Sequence, residues 1–427
     1  MKATKMEQNH LQAEMEAIGA KARVAYRTMS EATTEQKNKA LQAAAKALRV
    51  QIARILQENQ KDMDAGKAKG LEAAMLDRLQ LTETRINAIA KGLEDIATLD
   101  DPVGKTLAHW QRPNGMTISR VAIPLGVIGI IYESRPNVTA DAGALCIKSG
   151  NAAILRGGSE SLYSSKAIVD CLHEGLAAAG LPADAVQLVP TQDREAVGIM
   201  LHMSQYIDVI VPRGGKGLCE RVMKESKIPT ILHLEGNCHT YIHKDANAEM
   251  AKSVVINAKM RRTGICGATE SLVIDRAVVS TILPAIVQAL TAEGCEIRGD
   301  KEAQSVNAAI KPATEQDWDT EYLGAIISVK VVGGLDEAID FVNRHSSHHT
   351  DAIITDNKEA AASYLKKIDS AIVMHNTSTQ FADGGEFGMG AEIGISTGRL
   401  HARGPVGVEQ LTTYKYVVEG DGQTRPN

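Results

Sequence analysis

The chain has 427 residues with a formal net charge of −5, and 44% of its residues are hydrophobic. A single hydrophobic core rarely grows beyond about 300 residues, so this length predicts two domains. The slightly acidic balance, without a basic block, disfavours nucleic acid as a partner, and the apolar runs are too short for a transmembrane segment.

The N-terminal residues and the cysteines both indicate a cytoplasmic protein. Residues 1–19 interleave charged and apolar side chains and lack the continuous apolar core of a secretory signal. The cysteines form no Cys-x-x-Cys pair, which is typical of reduced thiols rather than of a disulfide framework. They are Cys146, Cys171, Cys219, Cys238, Cys266 and Cys295.

The first quarter of the chain is predicted to be helical. Residues 1 to about 100 carry apolar side chains at three- and four-residue steps, as in Leu41–Leu56, and few β-branched runs. The segment Arg112–Gly115 has the turn sequence RPNG and precedes the alternating run Met116–Ile123. We therefore expect a β-hairpin after the helices.

From Gly126 onwards, short apolar strands alternate with helical stretches. Strands are predicted at Gly126–Tyr132, Ala152–Leu155, Val186–Val189, Asp208–Val211 and Thr230–Leu232. A second set has helices at Ala248–Lys259, Val278–Leu290 and Leu335–Asn343, strands at Ser271–Ile274, Ile326–Val331 and Ala352–Thr355, and a last strand in Val408–Val418. The alternation predicts an α/β protein with parallel strands joined by crossover helices, as in nucleotide-binding sheets.

Cys266 is the candidate nucleophile. It lies in Lys259–Ala268, KMRRTGICGA, which carries a lysine, two arginines and two glycines. Positive charge favours a thiolate, and glycine allows a substrate or cofactor to approach closely. From spacing alone, an inert buried cysteine remains the alternative.

Two strand-to-helix turns are candidates for phosphate binding, Leu155–Glu160 (LRGGSE) and Val211–Gly217 (VPRGGKG). Helix N-termini beyond the carboxyl ends of parallel strands offer unpaired N–H groups, and arginine can bind phosphate through two hydrogen bonds. Neither turn has the G-x-G-x-x-G pattern, and Lys216 is not followed by the Ser or Thr of a Walker loop. Ordinary tight turns remain the alternative. The histidines of Arg344–His349 lack a cysteine or carboxylate cluster at ligand spacing, so no metal site is predicted.

Most of the chain, from about Ala22 to Gly420, resembles the gamma-glutamyl phosphate reductases of the aldehyde dehydrogenase superfamily. The most specific stretch is Phe381–Tyr416, FADGGEFGMGAEIGISTGRLHARGPVGVEQLTTYKY. Further matches are Gly126–Val138 (GVIGIIYESRPNV), Ser149–Ser161 (SGNAAILRGGSES), the VPRGGKG turn and Val332–Ile353.

The resemblance implies an aldehyde dehydrogenase-like α/β fold with a Rossmann-type cofactor domain, an α/β catalytic domain and an oligomerisation hairpin. We expect the cofactor domain at residues 1–105 and 122–235 and the catalytic domain at 236–403. The bridging and oligomerisation elements are expected at 106–121 and 404–420.

The resemblance also assigns residues. Cys266 matches the family's catalytic cysteine, Asn137 lies where an asparagine amide donates to the oxyanion, and Glu321 resembles a glutamate that binds the nicotinamide ribose. Arg156, where many relatives carry lysine, is expected to bind the adenosine 2′-phosphate, which favours NADPH. The remaining cofactor residues are expected to be Gly157, Gly158, Ser159, Arg213, Gly214 and Gly215.

Substrate contacts are expected in or beside Gly384–Thr397, with Glu386 for the ammonium group and Arg403 for a carboxylate, although a purely structural glycine-rich loop explains the same pattern. Glu235 lies near the position of the deacylating base of hydrolytic aldehyde dehydrogenases, and reductases of this type need no such base.

The implied reaction is the NADPH-dependent reduction of L-glutamyl 5-phosphate through a cysteinyl thioester, the second step of proline biosynthesis from glutamate. A homo-oligomer is expected, and the instability of the acyl phosphate suggests coupling to glutamate 5-kinase. Two other functions remain open: a hydrolytic aldehyde dehydrogenase that uses NAD, and a dinucleotide-binding protein without turnover.

Overall fold

The computed structural model describes residues 2–232 and 234–425 and contains two compact units. Unit 1 comprises the chain up to Leu232 together with Gly388–Gly394 and the chain from Val406 onwards. Unit 2 comprises the intervening segments, which end at Phe387 and Pro405. The functions expected of the two domains stay predictions.

Unit 1 begins with the predicted helices. They are α1 (Lys2–Glu31), α2 (Thr34–Val50), α3 (Ile52–Ala68), α4 (Ala73–Leu79) and α5 (Glu83–Thr98). A capping box between Thr33 and Gln36 begins α2, because each side chain binds the other residue's backbone N–H. Helix α2 packs closely on a later helix, since a Cβ on Gly175 would lie 2.3 Å from the carbonyl oxygen of Ala40.

The first sheet of unit 1 has four parallel strands. These are β3 (Val127–Tyr132), β4 (Ala152–Arg156), β5 (Val186–Leu188) and β6 (Val209–Arg213), in the spatial order β5-β4-β3-β6. Helices α6 (Pro136–Lys148), α7 (Leu162–Ala178), α8 (Glu195–Met200) and α9 (Lys216–Glu225) connect or follow them. All six residues of β3 are buried, which explains its continuous apolar sequence.

The fifth strand expected in this sheet, Thr230–Leu232, is wrong. Thr230 makes only an isolated parallel bridge with Ile210. Two hydrogen bonds form this bridge. The N–H of Ile210 donates to the carbonyl of Pro229, and the N–H of Ile231 donates to the carbonyl of Ile210. Pro229 has no N–H to donate, so the pairing does not extend towards the N-terminus.

A second, antiparallel sheet of unit 1 contains the predicted hairpin. Its strands are β1 (Thr106–Gln111), β2 (Thr117–Pro124) and β16 (Thr412–Glu419), in the order β1-β2-β16. The hairpin and the returning C-terminal strand are confirmed, although a 3₁₀ turn at Glu409–Leu411 replaces the start of the predicted strand. Trp110 of β1 lies edge-to-face with Tyr416 of β16, with ring centroids 6.2 Å apart.

Unit 2 is built on a parallel sheet of seven strands. They are β7 (Cys238–Ile242), β8 (Thr269–Asp275), β9 (Glu296–Gly299), β10 (Lys311–Pro312), β11 (Ile326–Val332), β12 (Thr350–Ile354) and β13 (Ile372–His375), in the order β10-β9-β11-β8-β7-β12-β13. The helices are α10 (Ala248–Met260), α11 (Val279–Ala292), α12 (Lys301–Val306), α13 (Leu335–His345) and α14 (Lys358–Lys367). Two short strands, β14 (Ile395–Ser396) and β15 (Gly404–Pro405), pair with each other. The predicted α/β class with parallel strands is confirmed.

No helix within the described residues combines the length and the apolarity needed to cross a membrane.

Candidate active site

Cys266 lies on a short turn that connects α10 to the buried strand β8. Its side chain is partly buried and packs on a small apolar cluster formed by Ala352, Ile372, Met374, Ala382 and Ile395. The backbone N–H of Ala268 donates to the carbonyl of Ile265 at 3.0 Å and closes the turn. The thiol therefore belongs to a tightly folded segment and has an apolar side.

Two buried residues press on the backbone of this turn. A Cβ on Gly236 would lie 2.3 Å from the carbonyl oxygen of Cys266 and 2.7 Å from its Cα, so no side chain fits there. The Sγ of Cys238 donates to the same carbonyl oxygen at 3.1 Å. The contact with Gly236 and the hydrogen bond from Cys238 thus fix the position of the Cys266 backbone.

Two of the three cations that precede Cys266, Lys259 and Arg261, have other partners. The Lys259 ammonium is fully buried and forms an ion pair with Glu270, which is also buried. Arg261 donates through Nε to the side chain of Gln380 at 3.0 Å. Burial raises the pKa of Glu270 to about 7, and Lys259 opposes that rise. The lysine that was expected beside the thiol therefore pairs with a carboxylate, because Lys259 lies on the buried side of the last turn of α10.

The other five cysteines are buried in the described structure, and Cys266 is the partly exposed one. Burial raises the pKa of Cys146 and Cys171 to about 12 and that of Cys295 to about 11. Burial also raises the pKa of Cys219, and it holds that of Cys238 well above its ordinary value. Such thiols stay protonated at neutral pH, so they are poor nucleophiles.

Unit 1 contains a polar cavity of about 460 Å³ beyond β3 and β4. Its wall includes five arginines (Arg78, Arg135, Arg156, Arg194 and Arg221), two glutamates (Glu133 and Glu160), and Ser134, Gly158 and Ser159. Three of the cofactor residues expected from sequence, Arg156, Gly158 and Ser159, meet here. The arginines at 78, 194 and 221 were not anticipated, because they come from separate elements and share no local motif.

Arg156 has a buried guanidinium that holds two turns together. Its Nη atoms donate to the carbonyl oxygens of Gly157, Gln192 and Asp193, the last two at 3.2 Å. Its Nε is buried and has no hydrogen-bond partner among the described residues. This N–H therefore has no protein acceptor within the described chain, while Arg156 as a whole lines the cavity.

The turn after Arg156 approaches its neighbours closely. A Cβ on Gly158 would lie 2.9 Å from the backbone nitrogen of Ser134, and one on Gly157 would lie 3.1 Å from the Tyr132 ring. The hydroxyls of Ser134 and Ser159 both donate to Glu160, at 2.9 and 2.6 Å. Glycines, backbone and cations in one cavity form a cradle that suits a phosphate-bearing dinucleotide.

The second glycine turn has a different environment. Gly214 and Gly215 are exposed at the start of α9, and a Cβ on Gly214 would lie 2.7 Å from the side chain of Glu133. The side chain of Arg213 extends along Gly394, with Cδ 3.1 Å from the position of a Cβ there. These three residues do not line the cavity, although Gly217 of the same turn does.

Known proteins are similar to this chain over nearly its whole length. The Aldehyde dehydrogenase family model matches residues 4–317. The gamma-glutamyl phosphate reductase of Rhodospirillum rubrum is 64% identical over 409 residues, which cover 96% of each chain. The chain belongs to the gamma-glutamyl phosphate reductases of the aldehyde dehydrogenase family.

Solved structures agree with this assignment. The crystal structure of gamma-glutamyl phosphate reductase from Thermotoga maritima has a TM-score of 0.95 at 42% identity and covers 97% of this chain and 100% of its own. An acetylating aldehyde dehydrogenase from Geobacillus thermoglucosidasius has a TM-score of 0.68 at 16% identity, over 98% and 99% of the two chains. This second likeness shows the fold alone. The predicted aldehyde dehydrogenase-like fold is confirmed.

The asparagine that the family resemblance singles out lies at the start of α6 in unit 1. The Nδ2 of Asn137 donates to Asp141 at 3.2 Å. Burial raises the pKa of Asp141 to about 6, and the Asn137 amide and the charge of Arg213 oppose the rise. One N–H of the amide is thereby engaged, and its orientation is set by Asp141.

Glu321 and the expected substrate residues lie in unit 2. Glu321 is partly buried and begins the segment that leads to Leu323. Arg403 donates to the carboxylate of Asp369 at 2.9 Å and to its backbone carbonyl at 2.8 Å, and Arg399 pairs with the same aspartate. Glu386 is exposed, and its N–H donates to Asp383 at 3.3 Å.

No group of three or more His, Cys, Asp or Glu residues in the described chain is arranged to hold a metal ion.

Proposed function

We propose that this protein reduces L-glutamyl 5-phosphate to L-glutamate 5-semialdehyde and phosphate, with NADPH as the reductant and a thioester on Cys266 as the intermediate. This is the proline-biosynthesis step that follows phosphorylation of glutamate. The observation that carries the proposal is Cys266 itself, a partly exposed thiol on a turn fixed by Gly236 in a chain 64% identical to a gamma-glutamyl phosphate reductase.

The first half of the reaction is acyl transfer to sulfur. The Cys266 thiolate attacks the acyl carbon, and an oxyanion forms that the backbone N–H of Cys266 stabilises, with Asn137 as the proposed second donor. The C–O bond to phosphate then breaks, and its electron pair leaves with the phosphate. The product is a glutamyl thioester.

The second half is reduction of that thioester. It uses the hydride that bound NADPH supplies to the carbonyl carbon. The resulting thiohemiacetal collapses with loss of the Cys266 thiolate, so that one acyl phosphate, one NADPH and one proton give the aldehyde, NADP and phosphate. The thioester must survive water until the hydride arrives, and each tenfold suppression of hydrolysis needs only about 1.4 kcal/mol. The apolar cluster against Cys266 supports such shielding.

The cavity of unit 1 supports a dinucleotide with an extra phosphate. Arg156 would contribute the positive charge of its guanidinium, and the turn from Gly157 to Ser159 would contribute backbone groups. Arg78 and Arg194 add positive charge to the same wall. A 2′-phosphate carries about two negative charges, which makes an arginine-lined wall more favourable for NADPH than for NADH.

The decisive experiment runs the reaction backwards. Purified protein is expected to reduce NADP with glutamate 5-semialdehyde only when inorganic phosphate is present, because phosphate must release the acyl group from sulfur. A Cys266→Ala variant is expected to lose this activity, and Cys295→Ala, which changes a buried thiol of the same unit, to keep it. NADP reduction without phosphate, at the full rate, would instead identify a hydrolytic aldehyde dehydrogenase.

Two proposals concern partners. Exposed aromatic side chains on the β1-β2-β16 sheet support self-association through that sheet. The short life of an acyl phosphate in water supports direct transfer from glutamate 5-kinase. Equal rates with free and kinase-generated intermediate, in a coupled assay, would remove the second proposal.

A further inference from the structure

A buried ion pair spans the turn that carries Cys266. Lys259 lies in the last turn of α10, and Glu270 is the second residue of β8, with their side chains 0% and 1% exposed. The turn between them is only ten residues long and contains the nucleophile. The pair therefore joins the two ends of the segment whose shape sets the position of the thiol.

The second oxygen of Glu270 reaches a different loop. Its Oε1 accepts from the backbone N–H of Leu323 at 3.3 Å, and Leu323 has a positive φ of 53°. Leu323 follows Glu321 by two residues, and the charge of Glu321 contributes to the raised pKa of Glu270. The Lys259 ammonium also lies 5.9 Å from the ring of Tyr322 in the same loop. One carboxylate thus contacts both the end of the Cys266 turn and the loop of Glu321.

Stability alone does not explain this pair. Removing two charges from water costs several kcal/mol per ion, and apolar residues of similar size are often as stable or more stable in the same place. An ion pair instead adds a geometric constraint. The Glu270 carboxylate fixes the Lys259 ammonium on one side and the backbone N–H of Leu323 on the other. A leucine or methionine at the same positions would fill the space without that constraint.

We propose that Lys259 and Glu270 are positioning residues that couple the Cys266 turn to the Glu321 loop, so that the acylated sulfur and the cofactor's ribose are held in register for reduction. The inference rests on the proposed function and on the role that the family resemblance implies for Glu321, which is to bind the nicotinamide ribose. It deepens that function, because it assigns a role to two residues that touch neither substrate nor cofactor.

Two double variants distinguish the effect of the hydrogen bond to Leu323 from the effect of losing the two buried charges. Lys259→Met with Glu270→Gln removes both charges but keeps an oxygen that can accept from Leu323. Lys259→Met with Glu270→Leu removes both charges and the acceptor. The expected result is a KM for NADPH at least tenfold higher in the second double variant than in the first, with kcat reduced and thermal stability similar.

The control is an exposed ion pair of the same unit. Arg276 and Glu302 pair on the surface of unit 2, with side chains 52% and 49% exposed. Replacing both with glutamine is expected to leave KM and kcat unchanged. Wild-type KM and kcat values in both buried double variants would overturn the coupling, because neither variant retains the ion pair.

A third variant decides the matter if the leucine variant does not fold. Glu270→Asp keeps a charge for Lys259 but shortens the side chain by one methylene and withdraws it from Leu323. A severalfold rise in the KM for NADPH is expected, and wild-type kinetics would contradict the proposal. If the wild-type protein itself shows no phosphate-dependent reduction of NADP, the proposed function fails. NADPH binding, read by its fluorescence, and the rate of Cys266 alkylation would then still report whether the two segments are coupled.

Discussion

Gly236 and Cys266 are in such close contact that a Cβ on the glycine would lie 2.3 Å from the carbonyl oxygen of the cysteine. Real Cβ atoms do not come so near to a backbone oxygen, and backbone cannot rotate away as a side chain can. The position of the nucleophile therefore depends on the absence of a side chain thirty residues earlier in the chain.

Gly236→Ala is expected to displace the Cys266 turn. Overpacking of this kind costs about 1–3 kcal/mol, and a misplaced nucleophile loses further rate, so we expect kcat to fall at least tenfold. The control is Gly264→Ala in the same turn, where the nearest atom to a new Cβ is 3.8 Å away. Similar kcat values for the two alanine variants would show that the turn accommodates a Cβ at position 236 without displacing Cys266 from its catalytic position.

Cys266 is expected to be the one cysteine that reacts quickly with iodoacetamide in the native protein at pH 7. Burial raises the pKa values of the other five and also blocks access to them. Mass spectrometry of the briefly labelled protein would check this, with the urea-unfolded protein as the reference in which all six react. Prompt labelling of Cys146 or Cys171 in the folded protein would contradict it.

Arg156→Ala is expected to raise the KM for NADPH far more than that for NADH. A charge-assisted hydrogen bond contributes about 1.5–3 kcal/mol, which corresponds to about 10- to 150-fold in affinity. Arg156 also holds the carbonyls of Gln192 and Asp193, so some loss with NADH is expected as well. Equal rises in KM for the two cofactors would mean that Arg156 only holds the turns at Gln192 and Asp193 and does not bind the 2′-phosphate. Arg194→Ala is the matched comparison on the cavity wall.

Asp141→Asn is expected to change the pH dependence of stability. Burial raises the pKa of Asp141 to about 6, above the value of about 3.9 in an unfolded chain, so the native state binds more protons between these two values. Its contribution to stability therefore falls as pH rises from 4 to 6 and stays low above 6. The neutral asparagine removes this penalty.

The measurement is thermal unfolding at pH 4.5 and pH 8. The variant is expected to be more stable than the wild type by about 1 kcal/mol at pH 8, since the site is partly exposed, and by less at pH 4.5. Asp184→Asn on the exposed surface serves as the control. A variant that is destabilised at pH 8 would mean that Asn137 needs a charged partner.

Tyr416→Glu is expected to lower the oligomeric mass of the protein. Tyr416 is 57% exposed on β16 and lies beside Trp110, which is 37% exposed, so a charge there would oppose burial of this sheet against another copy. Light scattering after size exclusion would measure the mass. Tyr163→Glu, at an exposed aromatic residue outside this sheet, is the control. An unchanged mass for Tyr416→Glu would place any self-association elsewhere.

Some elements were predictable to within about one residue. Strand β3 is a mainly apolar run in which all six residues are buried, and α10 has the apolar spacing of a helix from Ala248. Strand β7 was missed, because its sequence CHTYI looks polar. Its His239 is nevertheless fully buried, and its N–H and Nδ1 lie 2.8 and 3.1 Å from a carboxylate oxygen of Asp351, which is 112 residues away.

The sequence alone was sufficient for the α/β class, the hairpin and the family, and it made Cys266 the candidate nucleophile. These follow from periodicity, turn chemistry and motifs, which operate within a window of a few residues. The partner of Lys259, the contact of Gly236 with the nucleophile and the arginines that share a cavity became visible only in the folded chain. A buried charge or a close contact is satisfied by whichever residue the topology brings next to it, and that neighbour is 11 residues away for Lys259 and 112 for His239.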